Sequence, residues 1–261
     1  AAFGNLTFDF IVNPGNDIDI IKNGVNANLA HGNLYFLSSP TVGGAARKIN
    51  ISSTGTVTSG IGGNFIVDDL YTGSDNIQFK TSGIINFTIK GNMQLNAATT
   101  RVYSGGSNSS TINIDGNLDI TPSAVLEFNP TVSATPTATI NLKGDLSVAG
   151  SGLLQNSNSS NLGNLNFIVI GDGLTALTTQ TIDIASTSTN ENRQINFNVK
   201  SGAYVQLVNR DFKLGTNSKL TVENGGTFDF GFDGTTPLNV AISGSQTGTS
   251  FESMSGSTLK I

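Results

Sequence analysis

TINIDGNLDITPSAVLEFNP, Thr111 to Pro130, is followed from Thr139 by TINLKGDLSVAGSGLLQNSN. The two copies share T-I-N-[IL]-x-G-[ND]-L-x-[IV], and their glycines, Gly116 and Gly144, stand 28 residues apart. Outward from this pair, the signature G-[ND]-hydrophobic recurs at Gly4, Gly32, Gly63, Gly91, Gly116 and Gly144, in steps of 28, 31, 28, 25 and 28 residues. Gly171, in GDG, comes 27 residues later, with GNL at Gly163 as a competing match. SGAYVQL at Gly202, GGTFDF at Gly226 and GSTLKI at Gly256 continue a turn-plus-strand pattern in steps of 31, 24 and 30. A recurrence of this length spread along a chain means a solenoid, a propeller or an array.

The interior of one period decides among them. INI around Asn113, LDI around Asp119 and LEF around Glu127 each alternate apolar, polar, apolar, which places two side chains inward and one outward. Gly116 and Asn117 turn the first corner, and Pro122, Ser123 and Ala124 the second. A four-stranded propeller blade needs about 40–45 residues. Three strands in 28 residues fit a coil that pairs with its equivalents about 4.8 Å along an axis. The expected fold is therefore all-β: a right-handed parallel β-helix of about nine coils of roughly 28 residues, almost free of helix. Residues 1–261 read as one continuous β-helix segment, part of a longer chain. Ile112, Ile114, Leu118, Ile120, Leu126, Phe128, Ile140, Leu142, Leu146 and Val148 are expected to point inward.

Composition agrees. Only 12% of the 261 residues are charged, about half the usual share, and polarity comes from Ser, Thr, Asn and Gly. There are 31 Asn and 31 Gly. Asn at a tight corner tolerates the left-handed conformation, and stacked Asn side chains can bond to one another along a rod. The net charge of −5 and the lack of a Lys/Arg cluster argue against a nucleic-acid partner. Cysteine is absent, which removes disulfides and thiol chemistry. No apolar run approaches the roughly 18 residues of a membrane-spanning helix.

Candidate chemistry is sparse. His31, the one histidine, sits before the Gly32 corner and reads as a turn or surface residue. Asp68-Asp69 is the one adjacent acidic pair, and the glutamates are Glu127, Glu191, Glu223 and Glu252. Lys90, Asp115 and Lys143 occupy equivalent places in successive coils and should line up about 4.8 Å apart. A lyase would use such a trio as a base with charge-neutralising lysines, whereas the plainer expectation is an exposed charge ladder. Asp-Gly turns at Gly171 and Asp233 lack the five or six spaced oxygens of a calcium loop. STGTVTSG at Ser53 lacks the constant TxT period of an ice-binding ladder. Neither catalytic, nor metal, nor cofactor residues are expected.

NSKLTVENGGTFDF at Asn217 and FESMSGSTLKI at Phe251 follow the shape [GS]-x-x-L-x-[VI], a Gly turn, then another strand. This style of repeat resembles those of large secreted bacterial β-helix surface proteins: autotransporter passengers, filamentous-haemagglutinin-type adhesins and the long proteins exported by the type 9 system. The resemblance implies an extracellular or cell-surface location and a role as adhesin or stalk, and carries over no functional residue. The secretion domain and cap of such proteins would lie outside the segment. The expected function is a structural and adhesive segment rather than an enzyme. Its partners would be cell-surface or matrix glycans, or proteins of a secretion or adhesion apparatus, with end-to-end self-association possible. Two alternatives are a polysaccharide-degrading β-helix enzyme and a self-assembling fibre or shell subunit. Binding is expected in five polar insertions: Ser38 to Arg47, Ala97 to Ser110, Asn129 to Ala138, Leu153 to Gly163 and Ser186 to Arg193.

Overall fold

Short alternating runs too brief for helices become rungs here. In a computed structural model, the chain winds through three parallel sheets with no helix among the described residues. The structure describes residues 3–9, 18–21, 28–37, 48–68, 76–80, 82–102, 109–128, 137–156, 166–171, 179–184, 194–208, 212–215, 217–231, 241–242 and 250–261.

Sheet I stacks ten strands: Leu6–Asp9, Leu34–Leu37, Phe65–Val67, Met93–Leu95, Leu118–Ile120, Leu146–Val148, Thr179–Ile184, Tyr204–Leu207, Thr227–Asp229 and Thr258–Lys260. Sheet II stacks six: Ile18–Ile21, Lys48–Ser52, Asn76–Lys80, Ala98–Arg101, Ala124–Glu127 and Leu153–Gln155. Sheet III stacks eight: Thr56–Ile61, Ile84–Ile89, Ser109–Ile114, Thr137–Leu142, Asn166–Ile170, Asn196–Val199, Lys219–Val222 and Ser250–Ser253. Lys213–Leu214 pairs with Ala241–Ile242 separately. The chain visits sheets I, II and III in turn, giving a parallel solenoid of about 6 turns of roughly 28 residues.

Register repeats what the duplicated stretch implies. Ile112 lies opposite Ile140, Asn113 opposite Asn141 and Leu118 opposite Leu146, all in parallel. The ten residues expected to point inward are all buried, at no more than 1% exposure. Parallel stacking puts like on like, so the interior consists of columns. One aromatic column runs Phe8, Phe36, Phe65, Phe79, Phe87 with ring centroids 5.1–5.4 Å apart. Ile112, Ile140 and Ile168 form an aliphatic column in the middle of the rod. Burying whole columns removes large apolar side chains from water at about 1.5–3 kcal/mol each, which is what holds coils that share no disulfide.

Three expectations need correction. Ala98–Arg101 and Ser109–Ser110 lie in a segment read as loop, yet they are paired strand. Thr137–Ala138 and Leu153–Gln155 are likewise strand. Inter-coil pairing extended these strands past the local apolar signal. The rest of the five insertions, 38–47, 103–108, 129–136, 157–163 and 186–193, lies outside the described residues, as does Gly163. Finally, the corner asparagines are not left-handed. Among the described non-glycine residues only Ala98, Gln194 and Asn217 have positive φ.

Candidate functional surface

The corner between sheets III and I explains the signature. The Asn33 N–H donates to Asn5 Oδ1 at 2.9 Å, Asn64 N–H to Asn33 Oδ1 at 2.7 Å, and Asn92 N–H to Asn64 Oδ1 at 2.7 Å. The ladder continues from Asn117 N–H to Asn92 Oδ1, from Asp145 N–H to Asn117 Oδ1, both 2.9 Å, and from Thr181 N–H to Asp145 Oδ1 at 2.7 Å. Each side chain thus satisfies a backbone donor one coil on, a task that Asn or Asp can do. The glycine beside it is required by proximity. A Cβ on Gly116 would lie 2.2 Å from Asn92 Oδ1, and one on Gly91 would lie 2.2 Å from Asn64 Oδ1. G-[ND] is therefore one interlocked device: the glycine leaves room for the carbonyl oxygen below, and the Asn or Asp supplies the oxygen for the coil above.

The residue just after each sheet III strand forms a second column. Lys90, Asp115, Lys143, Gly171, Lys200 and Glu223 follow one another, each donating its backbone N–H to the carbonyl of the strand's last residue one coil below. Lys90 Nζ lies 2.8 Å from Asp115 Oδ2, and Lys143 Nζ lies 2.9 Å from Asp115 Oδ1. The expected trio is thus assembled, one carboxylate held by two ammonium groups. Burial pushes the Asp115 carboxyl up, but hydrogen bonds from Lys90 and Lys143, and their charges, outweigh it and hold it below its ordinary range. A carboxylate so held is a weak base. Lys200 Nζ pairs with Glu223 Oε1 at 2.5 Å.

The charges in this column alternate except at Gly171, which carries no side chain between Lys143 and Lys200. No side chain can be placed there: its φ is +89°, and a Cβ would sit 2.4 Å from that of Ala203. A groove of about 360 Å³ opens at this rung, lined by Asn141, Lys143, Val169, Gly171, Lys200 and Ser201 among others. The neighbouring outward column on sheet III is interrupted at the same level. Asn113 Nδ2 donates to Asn86 Oδ1 at 2.7 Å and Asn141 Nδ2 to Asn113 Oδ1 at 2.8 Å. The next rung is Val169, and then Asn198 resumes the column. Asn141 Oδ1 therefore faces a position with no donor.

Sheet II carries a third polar column: Asp19, Asn50, Gln78, Arg101, Glu127 and Gln155. Arg101 Nε lies 2.8 Å from Glu127 Oε2, and the Glu127 side chain is 5% exposed. Asn50 Nδ2 donates to Asp19 Oδ1 at 2.8 Å. Sequence reading missed this pair because Glu127 lies in an apparently outward position, where solvent exposure is the default.

The other candidates stay apart. His31 is exposed, and its backbone N–H donates to Phe3 O. Asp68 accepts from Asn96 Nδ2 at 2.7 Å, whereas Asp69 and Asp233 lie outside the described residues. Thr56 and Thr58 of the Ser53 stretch are exposed on sheet III. Among the described residues no three metal-ligating side chains converge, and no helix is long and apolar enough to cross a membrane. No family model matches the chain, and neither does any curated protein or solved structure.

Proposed function

We propose that this chain is a rigid rod segment of a cell-surface or extracellular protein, structural and adhesive, with no catalytic activity of its own. The observation that carries the reading is the corner ladder: six consecutive side chain-to-backbone bonds lock one coil to the next. Such a device serves stiffness along an axis, the property a stalk needs. We take the winding to be right-handed, the hand to which right-twisted parallel strands with crossovers are biased. We take it to extend to about nine coils, since sheets I and III run to ten and eight strands where sheet II has six.

Partners are glycans of a cell surface or matrix, or proteins of an adhesion apparatus. Binding is assigned mainly to the five polar insertions, because a rigid scaffold commonly carries function on its irregular connections. The test is a glycan array and a cell-adhesion assay on the intact chain and on a variant with all five insertions cut to Gly-Asn corners. Binding lost with the insertions supports the reading. Binding unchanged in that variant removes the insertions as the site. The catalytic alternative is tested on the same protein: release of reducing or unsaturated ends from a polysaccharide, abolished by Asp115→Asn, would replace this proposal with the lyase one.

A further inference from the structure

The interruption at Gly171 has the form of a vacant place in a pattern completed nearby. Two rungs below, Lys90 and Lys143 sit one coil either side of Asp115 and both grip its carboxylate, at 2.8 and 2.9 Å. Lys143 and Lys200 sit one coil either side of Gly171 in the same column, about 10 Å apart along the axis by the strand spacing. The lysines and their spacing are repeated, and the carboxylate between them is missing. Each lysine side chain is substantially exposed, 48% for Lys143 and 39% for Lys200. An ammonium carries three donors, so a lysine already paired on one side can hold a second carboxylate on the other. The column over this stretch holds three cations and two anions, leaving one positive charge uncompensated.

We propose that this notch is a binding subsite for the carboxylate of a uronic-acid unit in an acidic polysaccharide. The carboxylate takes the place of the missing rung and bridges Lys143 and Lys200, as Asp115 bridges Lys90 and Lys143. The sugar's hydroxyls meet Asn141, whose Oδ1 faces the donor-free Val169 rung, and Ser201, which also lines the groove. Two independent polar columns lapse at one level, so charged and neutral hydrogen-bonding groups are both offered at one place. A sugar acid needs both. An acidic peptide fits less well: an extended peptide gains its affinity by adding to a free sheet edge, and the strand Asn166–Ile170 is already paired on both sides. The volume, about 360 Å³, is at the lower end of small-ligand sites and suits one or two sugar units of a longer chain.

The subsite lies on strands and corners, not in the polar insertions, so it can fail without affecting the assignment of binding to those insertions, and the reverse. The intact chain is titrated with oligogalacturonate, its fully methyl-esterified form and a poly-glutamate peptide, by calorimetry at low salt. Lys143→Gln, Lys200→Gln and Lys90→Gln are compared. All three remove one charge from the same column, but Lys90 is remote from the notch. The expected result is oligogalacturonate binding weakened at least fivefold by Lys143→Gln and by Lys200→Gln, and less than twofold by Lys90→Gln, with no binding of the ester. Equal weakening by all three variants would reduce the effect to diffuse charge attraction and overturn the subsite. So would ester binding as strong as that of the acid, or no binding of oligogalacturonate. Poly-glutamate binding equal to oligogalacturonate would overturn the sugar assignment. Retained far-ultraviolet circular dichroism and melting temperature in each variant separate lost binding from lost fold.

Discussion

At the scale of the residue, the corner pairs a glycine with an oxygen. Gly116 is glycine because Asn92 Oδ1 would lie 2.2 Å from its Cβ, and the carbonyl carbon and oxygen of Gly91 2.8 Å away. Gly116→Ala should cost about 2–3 kcal/mol, as overpacking does. Asn92→Ala should cost about 1 kcal/mol by leaving the Asn117 N–H without its acceptor. The double variant should be less damaged than the sum by about 1 kcal/mol, since removing the amide clears part of the clash. Urea melts of the four proteins measure this, and strict additivity would mean the side chain is not the obstacle. The signature's spacing was legible in the sequence, but its reason was not. Left-handed asparagine was the natural expectation, and what the residues satisfy is a donor 25 to 31 positions away. Inside the rod the reading was straightforward. Leu118→Ala should cost about 2–5 kcal/mol by opening a cavity, and Asn113→Ala less than about 1.5, since Asn113 loses only outward amide bonds. The reverse order in denaturant melts would place the strand one residue out of register.

At the scale of the element, the outward columns carry charges whose effects oppose each other in acid. Asp119 faces outward from sheet I, half-buried. Burial, and then the charge of Asp145, push its carboxyl above the ordinary range. A carboxyl raised in the folded state adds stability that is fully present below its unfolded pKa and is lost as pH rises through the folded value. Asp115 is lowered instead, so its contribution is present above its unfolded pKa and is lost as pH falls through the folded one. Asp119→Asn should therefore raise stability at neutral pH and lose that advantage in strong acid. Asp115→Asn should lower stability at neutral pH, by under about 1 kcal/mol for so exposed a trio, and converge with the wild type in acid. Chemical denaturation at pH 7 and pH 3 checks both signs. Alignment of Lys90, Asp115 and Lys143 was predictable from the period, because parallel pairing places equivalent residues one rung apart. Their place in a longer column with a vacancy at Gly171 was not, since the chain takes 36 residues from Asp145 to Thr181, and the simple period ends there.

At the scale of the whole molecule, coils of equal register should be removable units. Deleting residues 116–143 joins Asp115 to Gly144 at a corner of the same kind and lets Asn92 meet Asp145. Each repeat contacts mainly its neighbours, so stability should fall by about one coil's share while cooperative unfolding persists. Deleting half that length would turn a sheet I rung into another face and place polar residues in the core. A single melting transition with native-like far-ultraviolet signal is expected for the first deletion and no cooperative transition for the second. Equal behaviour of the two would contradict a registered solenoid.

By itself, the sequence determined the strand class, the parallel stacking and which side chains lie inside. Those depend on alternation along a few residues and on a period along many, both written in one dimension. Tertiary structure alone decided which outward residues meet. The Arg101–Glu127 pair, the coincidence of the Val169 and Gly171 gaps, and the Asn ladder's bonds to backbone all depend on where insertions of unequal length return the chain to the rod. Insertions shift sequence spacing without shifting the rung, so neighbours across coils are fixed by hydrogen-bonded register and not by counting residues.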